Sequence, residues 1–208
     1  MDESSFAESA VPGLLAAIVL SVMGPPVPTP PRHLVDLVFD GQPMRRPLEA
    51  AAMGEVTGIW AAYGVDVRVA HPGEPGRDGA VRLAVVLADR PAPPTVAETL
   101  GSIRFVDDVP EPRIAIYPDA VASLVSTVSM AGVGCGQWPD ALRDAILGRV
   151  TGRALAHEIG HFLLRSRHHS PKGLMRAEPF LRDFVSSDWH GFFLSAEDAA
   201  LVTSWDAK

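Results

Sequence analysis

The sequence predicts an α/β (α+β) fold, a mixed sheet packed on helices, with a long helix late in the chain and a shorter C-terminal helix. Three observations carry that prediction. Apolar residues switch repeatedly between a period of two and a helical period over residues 33–130. One uninterrupted helical pattern then runs over 139–164. Hydrophobic residues make up 47% and charged residues 21% of the 208 positions, a balance that builds a core and does not leave the chain disordered.

Residues 1–31 are expected to form a hydrophobic N-terminal segment and a Pro-rich linker, with one domain over 32–208. The apolar run at 11–23 is broken by Pro12 and Gly13, and it is shorter than the roughly 20 residues that a spanning helix needs. Its length suits the core of an export signal. Asp2, Glu3 and Glu8 stand ahead of it without Lys or Arg, so export and a leader packed on the domain both stay open. No other segment is expected to span a membrane.

His33 to Phe39 alternates as a strand and ends at Asp40-Gly41. Leu48, Ala51, Ala52, Val56, Ile59 and Trp60 recur at helical spacing within 47–63, and Gly64 stops that helix. Strands follow at 65–70 and, after a Gly/Pro-rich loop, at 81–88. Residues 91–100 read as loop or short helix, 103–106 and 113–117 as two short strands, and 119–130 as a helix. The Gly-rich stretch 131–136 is a loop, and Pro139 takes the first position of the long helix. The chain is irregular from Met175 until Ser195, whose hydroxyl caps a last helix with Asp198 at the third position.

A net charge of −7 excludes a nucleic-acid partner, because phosphate binding needs a basic face. The single cysteine, Cys135, excludes an intrachain disulfide.

The chemistry is concentrated in the long helix, at His157-Glu158-Ile159-Gly160-His161. Residues four apart share a helix face, so both imidazoles can turn a nitrogen toward one metal ion. Glu158 then points beside the ion, placed to take a proton from a metal-activated water. Zinc suits this ligand set, and a catalytic zinc takes three protein ligands and keeps one position open. The third ligand has two adjacent candidates, His168 and His169. Either reaches the ion only if the helix ends soon after His161 and the chain turns back.

His157-Glu158-Ile159-Gly160-His161, the pair His169-Ser170 and Gly173-Leu174-Met175 together resemble the active-site segment of metzincin zinc metallopeptidases, the matrixins especially. That pattern is H-E-x-x-H-x-x-G-x-x-H followed by a methionine turn. Met175, 18 residues after His157, corresponds to the Met-turn residue. The chain departs from the pattern where Leu164 stands for the glycine and Arg167 for the third histidine, so the turn holds extra residues. His169 keeps the His-Ser pair and is preferred to His168. The resemblance implies a small bacterial, matrixin-like zinc peptidase with one catalytic ion, Glu158 as general base, and a peptide or protein substrate.

Other ligand sets are open at this stage. A gluzincin would take Glu197 or Glu178, and a deformylase-like amidase would take Cys135. A non-catalytic zinc-binding module is a further alternative. His190 and Tyr117 are candidates to border a cleft, and Arg165, Arg167, Lys172 and Arg176 form a basic cluster suited to acidic peptide groups. Oligomeric state is not legible in the sequence.

Overall fold

A computed structural model describes residues 33–89, 99–177 and 181–204. The leader, the linker and most of the 91–100 stretch lie outside them.

Five strands form one mixed sheet: β1 (His33–Asp40), β2 (Val65–Val69), β3 (Ala80–Leu87), β4 (Gly101–Val106) and β5 (Val109–Ile116). Their order is β2-β1-β3-β5-β4. β1 runs parallel to β2 and β3, β3 parallel to β5, and β4 antiparallel to β5 at the edge. The first crossover, β1 to β2, passes through α1 (Arg46–Ala61). Val35 and Leu37 on β1, Leu83 and Val85 on β3, and Ile114 and Ile116 on β5 are buried and build the apolar core against the helices.

β5 begins earlier than its sequence pattern suggests, and prolines are the reason. Pro110 and Pro112 lack an N–H, which should exclude them from an inner strand. Only Arg113–Ile116 pairs with β3, whereas the Pro110 stretch pairs with β4 alone, so the missing donors are not needed on the second side. The β4–β5 turn is made by Asp107 and Asp108, both left-handed at φ 48 and 62.

The expected helix over 119–130 ends early. α2 (Pro118–Ser126) gives way to a two-stranded hairpin, with β6 (Ser129–Met130) at the end of the stretch read as helix and β7 (Val133–Gly134) inside the stretch read as loop. The long helix, α3 (Asp140–Leu164), takes Pro139 as its N-cap and not as its first residue. The second half of α3, from Val150, is buried nearly all round, and α1 crosses the helix closely. A Cβ on Gly148 would lie 2.6 Å from the Cβ of Ala51, and one on Gly152 would lie 2.4 Å from the carbonyl oxygen of Ala52. Two glycines one turn apart thus let the helix backbones approach.

The segment after Met175 contains α4 (Leu181–Val185) before α5 (Ala196–Thr203). Ser195 caps α5 as expected, its Oγ accepting from the Asp198 N–H at 3.1 Å. No helix among the described residues is long and apolar enough to cross a membrane.

Candidate metal centre

His157 and His161 sit on one face of α3, and two backbone carbonyls orient them. His157 Nδ1 donates to the Leu174 carbonyl at 2.7 Å, and His161 Nδ1 donates to the Ser166 carbonyl at 2.7 Å. A carbonyl only accepts, so each Nδ1 carries the proton and each Nε2 keeps its lone pair. The two Nε2 atoms face one another at 3.1 Å. Two lone pairs that close repel, and a cation between them resolves the conflict.

The helix stops where it must for a third imidazole to join. Arg165 is left-handed at φ 49, and the Ser166 N–H reaches back to the His161 carbonyl at 3.2 Å, closing the last turn. Leu164, which stands where the resemblance would have a glycine, is the last helical residue, and the left-handed position falls on Arg165. The chain reverses and brings in His169. Ligand atoms of His157, His161 and His169 all lie within 4.8 Å of one another. His168, one residue earlier, is outside this group, although both it and His169 are exposed.

The residue after His169 is anchored twice. Ser170 N–H donates to the Met175 carbonyl at 2.8 Å, and its hydroxyl donates to Asp198 on α5 at 2.6 Å. Met175 is fully buried beneath α3, where a Cβ on Gly160 would come 2.3 Å from its sulfur. A side chain at Gly160 would therefore displace the end of the methionine under it, next to the Leu174 whose carbonyl orients His157.

Electrostatics suit a cation. Burial pulls His157 down to about 3, helped by the neighbouring His161 and His169 and opposed by its bond to Leu174. Burial likewise pulls His161 down to about 4, against its bond to Ser166. His169 is lowered by burial and by His168. Burial thus favours the neutral form of all three rings, the form that can donate a lone pair to a metal. Glu158 is 7% exposed; burial pushes its carboxyl up to about 8, against a hydrogen bond from the Ile103 backbone.

These groups line one cavity of about 640 Å³. Edge strand β4 forms one side, from Gly101 to Phe105, and Leu124, Leu181, Phe184 and Phe192 supply apolar wall. No sequence signal marked these residues, because strand, helix and C-terminal segment meet only in the fold. The wall is tied down by Arg153, fully buried on α3, which donates to Glu55 at 2.8 Å and to the Phe184 and Asp188 carbonyls at 3.2 Å each.

No family model matches the chain, and no curated protein matches it. Among solved structures it is similar to archaemetzincin (amzA) from Methanopyrus kandleri, with a TM-score of 0.48 and 17% sequence identity. The match covers 85% of this chain and 96% of that one. The chemistry of this chain rests on its own imidazoles and carboxylate.

The remaining candidates divide clearly. Cys135 lies in a short 3-10 turn before α3 and Glu197 on the exposed side of α5; neither joins the metal-holding group. Glu178 and the side chain of His190 are outside the described residues. Tyr117 is buried, and its hydroxyl meets the Ser102 hydroxyl at 2.6 Å, so it touches the cavity only through Ser102. Arg167 and Arg176 reach the cavity; Arg165 and Lys172 do not.

Proposed function

We propose that this protein is a zinc-dependent peptidase in which His157, His161 and His169 hold one ion and Glu158 is the general base. One observation carries the reading: three neutral imidazoles converge within 4.8 Å, beside a buried carboxyl in the same cavity. Three protein ligands leave a position open, which separates a catalytic zinc from a closed structural one. Bound zinc supplies a Lewis acid that polarises a carbonyl and acidifies water.

The chain supplies the rest. Glu158 takes the proton from the attacking water and returns it to the leaving amine nitrogen. Burial alone favours the protonated carboxyl at pH 7, and a zinc ion held beside it would favour the carboxylate that accepts the proton. β4 is a sheet edge along the cavity, and an edge strand accepts an extended peptide through backbone hydrogen bonds. The largely apolar wall between α3 and the C-terminal segment accommodates a side chain next to the scissile bond. Met175 acts as the Met-turn residue, supporting His157 through the adjoining Leu174 carbonyl.

Metal analysis and a peptide library test this. His169→Ala should reduce zinc content sharply and His168→Ala should not; the reverse result removes His169 as a ligand. Glu158→Ala should keep its zinc and lose cleavage by about a hundredfold or more. A zinc-loaded wild type inert to every peptide would leave a metal-binding module and not a peptidase.

A further inference from the structure

Arg167 stands where the metzincin pattern has its third histidine, and its side chain contacts the β4–β5 turn. A guanidinium has no lone pair to offer a metal. Its Nη1 instead reaches Asp108 at 2.9 Å, in the β4–β5 turn, and its guanidinium carbon lies 4.9 Å from the centre of the Phe105 ring. Both Arg167 and Phe105 line the cavity.

Among the described residues three arginines, Arg153, Arg167 and Arg176, line that cavity against one carboxylate, Glu158. Their availability differs. Arg153 is fully buried and spreads its donors over Glu55 and three backbone carbonyls. Arg176 pairs with Asp183 at 2.9 Å and is largely covered. The Arg167 side chain is 59% exposed, and its partner Asp108 is 91% exposed. An ion pair so open to water is weak and readily exchanged. Phe105 meanwhile restrains the guanidinium, which lowers the entropy lost when a second carboxylate binds.

We infer that Arg167 is a specificity-determining residue that selects peptides carrying a carboxylate at the β4 end of the cleft, with Asp108 holding its place until substrate arrives. This rests on the peptidase reading above. The carboxylate belongs either to an acidic side chain or to the peptide C-terminus.

The test uses the zinc-loaded full chain and matched peptides, internal Glu against Gln and free C-terminal acid against amide. Wild type should cleave one acidic member about tenfold better than its neutral partner, chiefly through KM, and the pair that shows it identifies the source. Arg167→Gln should bring that ratio to within about twofold with zinc content unchanged, Arg167→Lys should restore it in part, and Asp108→Asn should increase it. Equilibrium binding of the same peptides to zinc-loaded Glu158→Ala, with and without Arg167→Gln, reads the inference apart from turnover. Acid-selective binding that depends on Arg167 supports it even if no peptide is cleaved. Equal binding of acid and neutral partners, or a preference that survives Arg167→Gln, overturns it even if peptides are cleaved.

Discussion

His168 and His169 are neighbours with the same chemistry, and the backbone alone separates their roles. The left-handed Arg165 and the two anchors of Ser170 set which ring turns toward His157 and His161. Asp198 is the distant end of that device, since it accepts from Ser170 at 2.6 Å and from Ser195 at 2.8 Å. Replacing Asp198 with Ala should weaken zinc binding about tenfold, as losses beyond the direct ligands commonly do. Competition with a chelating dye reads the affinity, and a metal-free melting curve separates it from any loss of fold. His157, Glu158 and His161 were legible in the sequence because four residues make about one helical turn. The choice between His168 and His169 rested there on a His-Ser pair and a resemblance, because nothing local encodes the path of the reversal.

Between elements, the decisive contact is α1 against α3. Gly152 has no room for a side chain against the Ala52 carbonyl, 2.4 Å from where a Cβ would stand. Gly152→Ala should therefore cost about 2 kcal/mol, read by urea unfolding, because a backbone atom cannot rotate aside. Glu55 on α1 receives Arg149 at 3.2 Å and Arg153 at 2.8 Å from α3. Glu55→Ala leaves the fully buried Arg153 without its carboxylate and should cost about 3 kcal/mol. It should also loosen the cavity wall, since Arg153 holds the carbonyls of Asp183, Phe184 and Asp188. The existence of the described sheet strands and their succession along the chain followed from periodicity, whereas their order in the sheet and the ends of elements did not. α2 stops at Ser126 although apolar spacing continues, because Ser129–Met130 finds a partner strand in Val133–Gly134.

Across the whole molecule, the two faces of the sheet are covered differently. Val35 and Leu37 face the apolar core, and Asp36 between them points to the other face, where Arg68 at 3.0 Å and Arg77 at 2.8 Å meet it. Burial alone would raise this carboxyl, but hydrogen bonds from Arg68 and Arg77 outweigh it and hold Asp36 at about 2. A carboxyl lowered in the folded state stabilises the protein above its ordinary range, and that contribution disappears as pH falls from about 4 to about 2. Asp36→Asn should lower stability at pH 7 and flatten its decline over that window. Urea midpoints at pH 7, 4 and 2.5 measure both effects. The sequence showed this charge only as a polar residue in a strand; its partners come from β2 and from the loop before β3.

By itself the sequence determined a mixed sheet with a long helix, and on that helix two imidazoles and a carboxyl at fixed spacing. These are consequences of backbone periodicity, which acts between near neighbours. Tertiary structure alone decided which imidazole joins His157 and His161, the walls of the cavity and the contact of Arg167 with Asp108 and Phe105. Each depends on contacts between segments far apart in the chain, where packing and hydrogen bonding choose among paths that local preference leaves nearly equal.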